Sequence, residues 1–221
     1  MAATMRWGSI HRMTRAVFLD ALGTLVELEP PWVSLRNRVP AEVSDERLMA
    51  ALRAEMAYYR DHAHEGRDEA SLAELRERCA AIVSEKLGLV ITVDELVEAI
   101  RFFAYPDVVP ALSGLRDSGL KLIAVSNWDC SLPRVLERCG LDGLLDGTVT
   151  SAETGSRKPD PGIFDAALEL AGCDRNEAVH VGDTAEEDVA GARAAGITPL
   201  LIDRDGGRGD ISSLEEIREH L

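Results

Sequence analysis

The chain has 221 residues, 46% of them hydrophobic and 29% charged, which is enough apolar material for one large domain or a core with a smaller insert. That balance excludes disordered, collagen-like and fibrous classes. Lys plus Arg number 24 against 39 Asp plus Glu, and the resulting formal charge of −15 excludes general nucleic-acid binding and polybasic membrane binding.

Residues 1–13 are basic and carry no apolar run, so they are expected to form a flexible tail, or an over-long start before Met13, and not a signal peptide. Ala16–Leu19 is the first of five short apolar runs, each leading into a loop. From Leu28 to Tyr105 the rhythm changes: about three amphipathic helices are predicted and no strand. One helical stripe carries Leu48, Leu52, Met56 and Tyr59, and another Leu72, Leu75, Cys79 and Ile82. Ser71-x-x-Glu74 and Thr92-x-x-Glu95 read as capping boxes, and Pro30-Pro31 and Tyr105-Pro106 as hinges. The remaining runs, Leu122–Val125, Thr148–Thr150, Ala178–Val181 and Thr198–Ile202, alternate with helical segments and predict buried parallel strands. Asp160-Pro161 is a helix start, and Val189–Ala195 gives a helix with a small-residue face. The expectation is a doubly wound α/β core, 14–27 and 106–221, with a helical cap, 28–105, inserted after the first strand. No apolar run reaches the roughly 18 residues of a membrane span. Four scattered cysteines without a C-x-x-C pair predict reduced thiols in a cytoplasmic protein.

In such a fold, functional side chains belong at the carboxyl ends of strands. Asp20 follows the first strand in Asp20-Ala21-Leu22-Gly23-Thr24, placed as a nucleophile or metal ligand, or as a plain turn cap. Ser126 and Asn127 end the second strand and offer donors to an oxyanion. Trp128 and Asp129 follow, as pocket lining or ordinary loop. Lys158, one of only three lysines, lies in the proline-stiffened Ser156–Pro161. Asp183 ends the fourth strand, with Glu186, Glu187 and Asp188 close behind. Carboxylates crowded this way imply a hard cation such as Mg²⁺, or else a solvated acidic helix start. His62-x-His64 reads as a polar helix end, because residues two apart do not share a helix face.

Taken in order, DALGTL, VSNWD, the lysine of SRKPDPGIF and VGDTAEEDVAGARAAG resemble the four motifs of the haloacid dehalogenase-like hydrolase superfamily across nearly the whole chain. The resemblance implies a Rossmann-like core with a cap between the first and second motifs. It implies Asp20 as nucleophile, Ser126 as a phosphoryl-oxygen donor, and Lys158 as charge partner of both substrate and Asp20. It further implies Mg²⁺ held by Asp20, the Leu22 carbonyl and Asp183, with Asp188 behind them. Thr24, Asn127 and Trp128 are expected to touch a small anionic substrate, and Glu186 and Glu187 to be solvated.

One departure matters most. Phosphatases of this superfamily carry a second Asp, the general acid, where this chain has Leu22, and positioned acid–base catalysis is worth about 10²–10⁴-fold. The dehalogenase branch also lacks that acid but works without Mg²⁺, whereas GDTAEED resembles the metal-binding fourth motif. Three readings follow: a Mg²⁺-dependent phosphoryl hydrolase or transferase without its usual acid, a hydrolase attacking carbon as in 2-haloacid dehalogenation, and a degenerate ligand-binding member.

Overall fold

The computed structural model describes residues 14–221; the predicted tail, 1–13, lies outside them. In chain order, β1 (Ala16–Leu19) and β2 (Val26–Leu28) precede four helices, α1 (Pro31–Arg36), α2 (Asp45–His62), α3 (Glu69–Leu87) and α4 (Val93–Ala99). Next come β3 (Phe102–Ala104), α5 (Val108–Asp117), β4 (Lys121–Ser126), α6 (Leu132–Arg138) and β5 (Gly147–Thr150). The chain continues through α7 (Ser151–Thr154), α8 (Pro161–Ala171), β6 (Ala178–Gly182), α9 (Ala190–Ala194) and β7 (Thr198–Leu201).

Five strands form one parallel sheet in the order β5-β4-β1-β6-β7. β1 is central, with Phe18 opposite Ile123 on one side and His180 on the other. Its alternate residues serve opposite faces. Val17 and Leu19 join a cluster with Leu112 and Leu115 of α5 and Leu136 of α6. Ala16 and Phe18 join another with Ile163 and Phe164 of α8 and Ala192 of α9. Both faces are covered, which is why the strands read as unbroken apolar runs rather than alternating ones. The strand order reverses at β1, so a crevice lies beyond its carboxyl end.

The region between β2 and β3 is helical as expected, with four α-helices and its own apolar cluster built on Leu35, Leu48, Leu52, Leu75, Val83 and Leu96. Three details differ from the sequence expectation. β2 and β3 pair antiparallel, Val26 with Ala104 and Leu28 with Phe102, so the two passages between core and insert form a short ribbon. Three-residue strands are too short to display a period. α3 starts at a capping box of Asp68 with Ser71, not at Ser71: the Asp68 carboxylate accepts from the Ser71 N–H at 2.9 Å. An Asp cap also places its charge favourably at the helix dipole. The inner face of α2 buries Leu48, Ala51, Leu52 and Glu55, leaving Met56 and Tyr59 half-buried. The Thr92–Glu95 box and the Asp160 cap form as predicted. The four cysteines are free thiols, and no helix of the described residues is long and apolar enough to cross a membrane.

Candidate active site

The carboxyl ends of β1, β4 and β6 bring Asp20, Ser126 and Asp183 to one crevice, and the loop before α8 delivers Lys158. Lys158 is only 2% exposed, and its Nζ lies 2.5 Å from Asp20 Oδ1 and 2.6 Å from Asp188 Oδ1. The Ser126 hydroxyl donates to the same Asp20 oxygen at 2.9 Å. Two donors on Oδ1 fix the rotation of the carboxylate. No donor among the described residues reaches Oδ2.

Oxygens of Asp20, Asp183 and Asp188 lie within 4.8 Å of one another. Burial pushes the Asp20 carboxyl up to about 7 against the pull of Lys158, with Asp188 and Asp183 adding repulsion. Burial alone would strip the Lys158 ammonium, but Asp20 and Asp188 hold its proton, and its pKa is raised. Burial opposes ionisation of Asp188 too; Lys158 and the His180 hydrogen bond overcome this and hold it well below the usual range. One ammonium, paired with Asp20 and Asp188, therefore serves a cluster of three carboxylates.

Two glycines make this crowding possible. Gly23 sits at φ +84°, and a Cβ there would stand 2.1 Å from Asp183 Oδ2. A Cβ on Gly182 would stand 2.1 Å from Asp188 Cγ. The Thr184 N–H donates to Asp188 Oδ2 at 3.0 Å, so both Asp188 oxygens already have donors. After Thr184 the chain makes a π-helical turn, Ala185–Val189, and only then enters α9.

Other expected residues fall in different roles. The Asn127 amide is tied to the lysine loop: its Oδ1 accepts from the Lys158 N–H at 2.7 Å, and its Nδ2 donates to the Lys158 carbonyl and to Glu187. Its side-chain donors are spent on the lysine loop and Glu187, while Asn127 itself lines the cavity beside Ser126. Thr24, expected at the substrate, is fully buried and outside the cavity lining. Glu187, expected to be solvated, is half-buried on Asn127, while Glu186 is exposed. Trp128 is 6% exposed, packs on Phe102 at 5.1 Å and borders the cavity, as does half-buried Leu22.

Two residues, His180 and Arg204, escaped the sequence reading, and Asp129 was left open between pocket lining and ordinary loop. His180, inside β6, donates to Asp188 at 2.9 Å and packs edge-on against Phe164; its signal was a lone imidazole in an apolar strand. Burial lowers its pKa, so the ring is neutral. Arg204 donates to the carbonyls of Gly23 and Thr24, pairs with Asp107 at 2.9 Å and stacks 3.7 Å over the Tyr105 ring. It ties the Asp20 loop to the ribbon's exit. Asp129 is buried and accepts from the Tyr59 hydroxyl of α2 at 2.8 Å and the Ser131 N–H at 2.7 Å. No local pattern announced Arg204; Asp129 borders the cavity, one of the two roles its sequence position offered.

A cavity of about 340 Å³ lies between the strand ends and the insert, with Asp20, Leu22, Ser126, Lys158 and Asp183 on the core side and Met56, Tyr59 and Val97 on the helical side. Beside it, the Tyr59–Asp129 bond and the Cys130 N–H donating to the Gly66 carbonyl at 2.8 Å join the insert to the core.

Known proteins resemble this chain in sequence and fold. The model of the haloacid dehalogenase-like hydrolases matches residues 14–196. The chain is 39% identical over 106 residues to a glyceraldehyde 3-phosphate phosphatase of Methanopyrus kandleri, covering 45% of this chain and 43% of that one. The chain spans about two fifths of the length of the curated relatives it matches. Among solved structures, a HAD phosphatase from Thermococcus onnurineus aligns with a TM-score of 0.67 at 27% identity, over 94% of this chain and 97% of the other. A dehalogenase aligns with a TM-score of 0.69 at 25% identity over the same shares. A family model spanning this much of the chain, and whole-length structural matches, lead to one conclusion: the protein belongs to the haloacid dehalogenase-like hydrolase family.

Proposed function

We propose that the chain is a Mg²⁺-dependent phosphohydrolase acting on small phosphorylated metabolites through an aspartyl-phosphate at Asp20. The observation that carries this reading is the clustering of Asp20, Asp183 and Asp188 oxygens within 4.8 Å of one another, with the Lys158 ammonium paired to only two of them. An all-oxygen anionic set suits a hard divalent cation, and a carboxyl raised as far as Asp20 needs more positive charge to stay ionised. Asp20, Asp183 and the Leu22 carbonyl would hold the ion, with Asp188, its oxygens already occupied, orienting Lys158 behind them. When bound, the ion supplies positive charge to the phosphoryl oxygens.

Asp20 Oδ2, free of donors, attacks phosphorus; Ser126 and Lys158 hold Oδ1 and the incoming phosphoryl oxygens, and the P–O bond to the leaving group breaks, its electron pair departing with the leaving oxygen. Water then cleaves the aspartyl-phosphate. Leu22 cannot protonate the leaving oxygen, so substrates whose leaving group needs no proton, acyl and aryl phosphates, are favoured over alkyl ones. Residues 28–105 act as the cap over the cavity, a role supported by their separate apolar cluster and by the ribbon joining them to the core.

The Leu22 side chain also favours a second reading, attack of Asp20 on carbon in a 2-haloacid, with which the likeness to a solved dehalogenase agrees. A panel of acyl, aryl and alkyl phosphates and 2-haloacids, assayed with and without Mg²⁺, separates the two. Metal-dependent release of phosphate, greatest for acyl and aryl esters, is expected. Metal-independent halide release without phosphate release would replace the first reading by the second. A soluble site in the cytoplasm, where phosphorylated metabolites are held, accords with the reduced thiols.

A further inference from the structure

The cavity has two charge environments. Its floor is the carboxylate group around Lys158. Its other walls carry arginines: Arg60 near the end of α2, Arg76 in α3 and Arg138 at the end of α6. Among the described residues these three guanidiniums form no ion pair, although the chain has 39 acidic side chains to offer. Arg78, two residues from Arg76 but away from the cavity, is paired with Glu65 at 2.5 Å. Arg157, also at the cavity, reaches only Glu187, at 3.7 Å.

Arg76 is half-buried and Arg60 and Arg138 are exposed, so Arg76 lies deepest. Two buried acids share this side of the cavity, each with its own partner: Glu55, whose carboxyl burial raises, meets the Cys79 thiol, and Asp129 accepts from the Tyr59 hydroxyl and the Ser131 N–H. On the floor, Asp20 and Asp188 pair with Lys158, and none of these arginines pairs with a floor carboxylate. They therefore face a part of the ligand other than the group undergoing transfer. In a chain of net charge −15, an unpaired positive wall inside the one cavity that holds the nucleophile focuses anions locally.

We infer that the wall formed by α2, α3 and α6 binds a second anionic group of the substrate, a carboxylate or a second phosphate, with Arg76 as its main contact. The inference rests on the phosphatase reading for the reacting group. A guanidinium fork matches both oxyanions with two parallel N–H donors.

Glycerol 3-phosphate and 3-phosphoglycerate differ by a hydroxymethyl group in place of a carboxylate, and fructose 6-phosphate and fructose 1,6-bisphosphate by a second phosphate. Whichever anion the wall takes, kcat/KM is expected to favour the doubly anionic member by about tenfold or more, the scale of a charge-assisted hydrogen bond. Arg76→Gln should lower that preference about tenfold, mainly through KM, and Arg60→Gln should lower it less. Arg53→Gln, on the exposed face of α2, should keep it. Calorimetric titration of the same compounds into the Asp20→Asn protein needs no turnover and reads the preference as affinity. If that preference exists and depends on Arg76 while no phosphate is hydrolysed, the subsite stands and the phosphatase reading falls. Hydrolysis or binding with no preference for either doubly anionic compound, or a preference unchanged in both Arg76→Gln and Arg60→Gln, removes the subsite and leaves the phosphatase reading to its own test.

Discussion

At the strand ends, each functional side chain follows a buried apolar run, so the sheet fixes its position: Asp20 after β1, Ser126 at the end of β4, Asp183 after β6. Across the cavity, Tyr59, Arg60 and Arg76 ride on long amphipathic helices whose placement depends on the separate cluster around Leu48, Leu75 and Leu96. The first wall is rigid and dense in paired charge; the second is held to it by a two-stranded ribbon and a few hydrogen bonds such as Tyr59–Asp129. On the proposed reading, chemistry falls to the wall that the backbone determines, and choice of substrate to the wall that helix packing determines.

The largest effect should come from the core wall. Lys158→Ala leaves Asp20 and Asp188 buried against each other, and breaking a buried pair in this way costs about 3–5 kcal/mol. Denaturant unfolding should show that loss together with loss of turnover. A cost below about 1 kcal/mol, the scale of a surface pair, would mean that the core wall is no more constrained than the insert.

Leu22→Asp sharpens the comparison from the chemical side. Supplying a carboxyl at the first-motif loop should raise alkyl phosphate hydrolysis, bounded by about 10²–10⁴-fold, and do much less for acyl phosphates. The realised gain should be at the low end, because nothing around Leu22 orients a carboxyl group. Steady-state rates on matched alkyl and acyl phosphates check this; suppressed activity on every substrate would favour attack on carbon.

The core wall was also the legible one. Continuous apolar runs ending in Asp20, Ser126 and Asp183 announce strands and site together, because both faces of the sheet are covered. The burial of Thr24 and the tie of Asn127 to the lysine loop were not legible, because position in a loop does not say which way a side chain turns. His180 and Arg204 were not foreseen: nothing in an apolar strand says that its imidazole meets Asp188, and Arg204 reaches back 181 residues to Gly23. In the insert, periodicity gave the helices, but not that the stripe of α2 shifts to bury Glu55.

Smaller effects belong to the ties between the walls. Tyr59→Phe removes one hydroxyl donor from Asp129, which keeps the Ser131 N–H, so stability should fall by about 0.5–1.5 kcal/mol. A KM change larger than the stability change would show the bond acting on the cavity rather than on folding.

The smallest effect concerns Asp107. Burial works against its charge, but the Leu214 N–H, the Ser213 hydroxyl and Arg204 hold its carboxyl below the ordinary value of 3.8. A lowered folded pKa adds stability that is present above 3.8 and lost as pH falls through the folded value. Asp107→Asn should therefore flatten the acid limb of the stability profile, measured by unfolding between neutral and strongly acid pH, and leave its upper part parallel to wild type. An unchanged acid limb would detach Arg204 and Asp107 from the support of the Asp20 loop.

The central claim, that Asp20 carries the transferred group, is tested most directly by mass spectrometry of the protein acid-quenched during turnover of an acyl phosphate in Mg²⁺. The peptide containing Asp20 should gain the mass of one phosphoryl group, and the Asp20→Asn protein should not. An unmodified Asp20 peptide in the phosphate reaction, with an ester adduct on Asp20 appearing instead when a 2-haloacid is supplied, would contradict phosphoryl transfer and make this a carbon-attacking hydrolase.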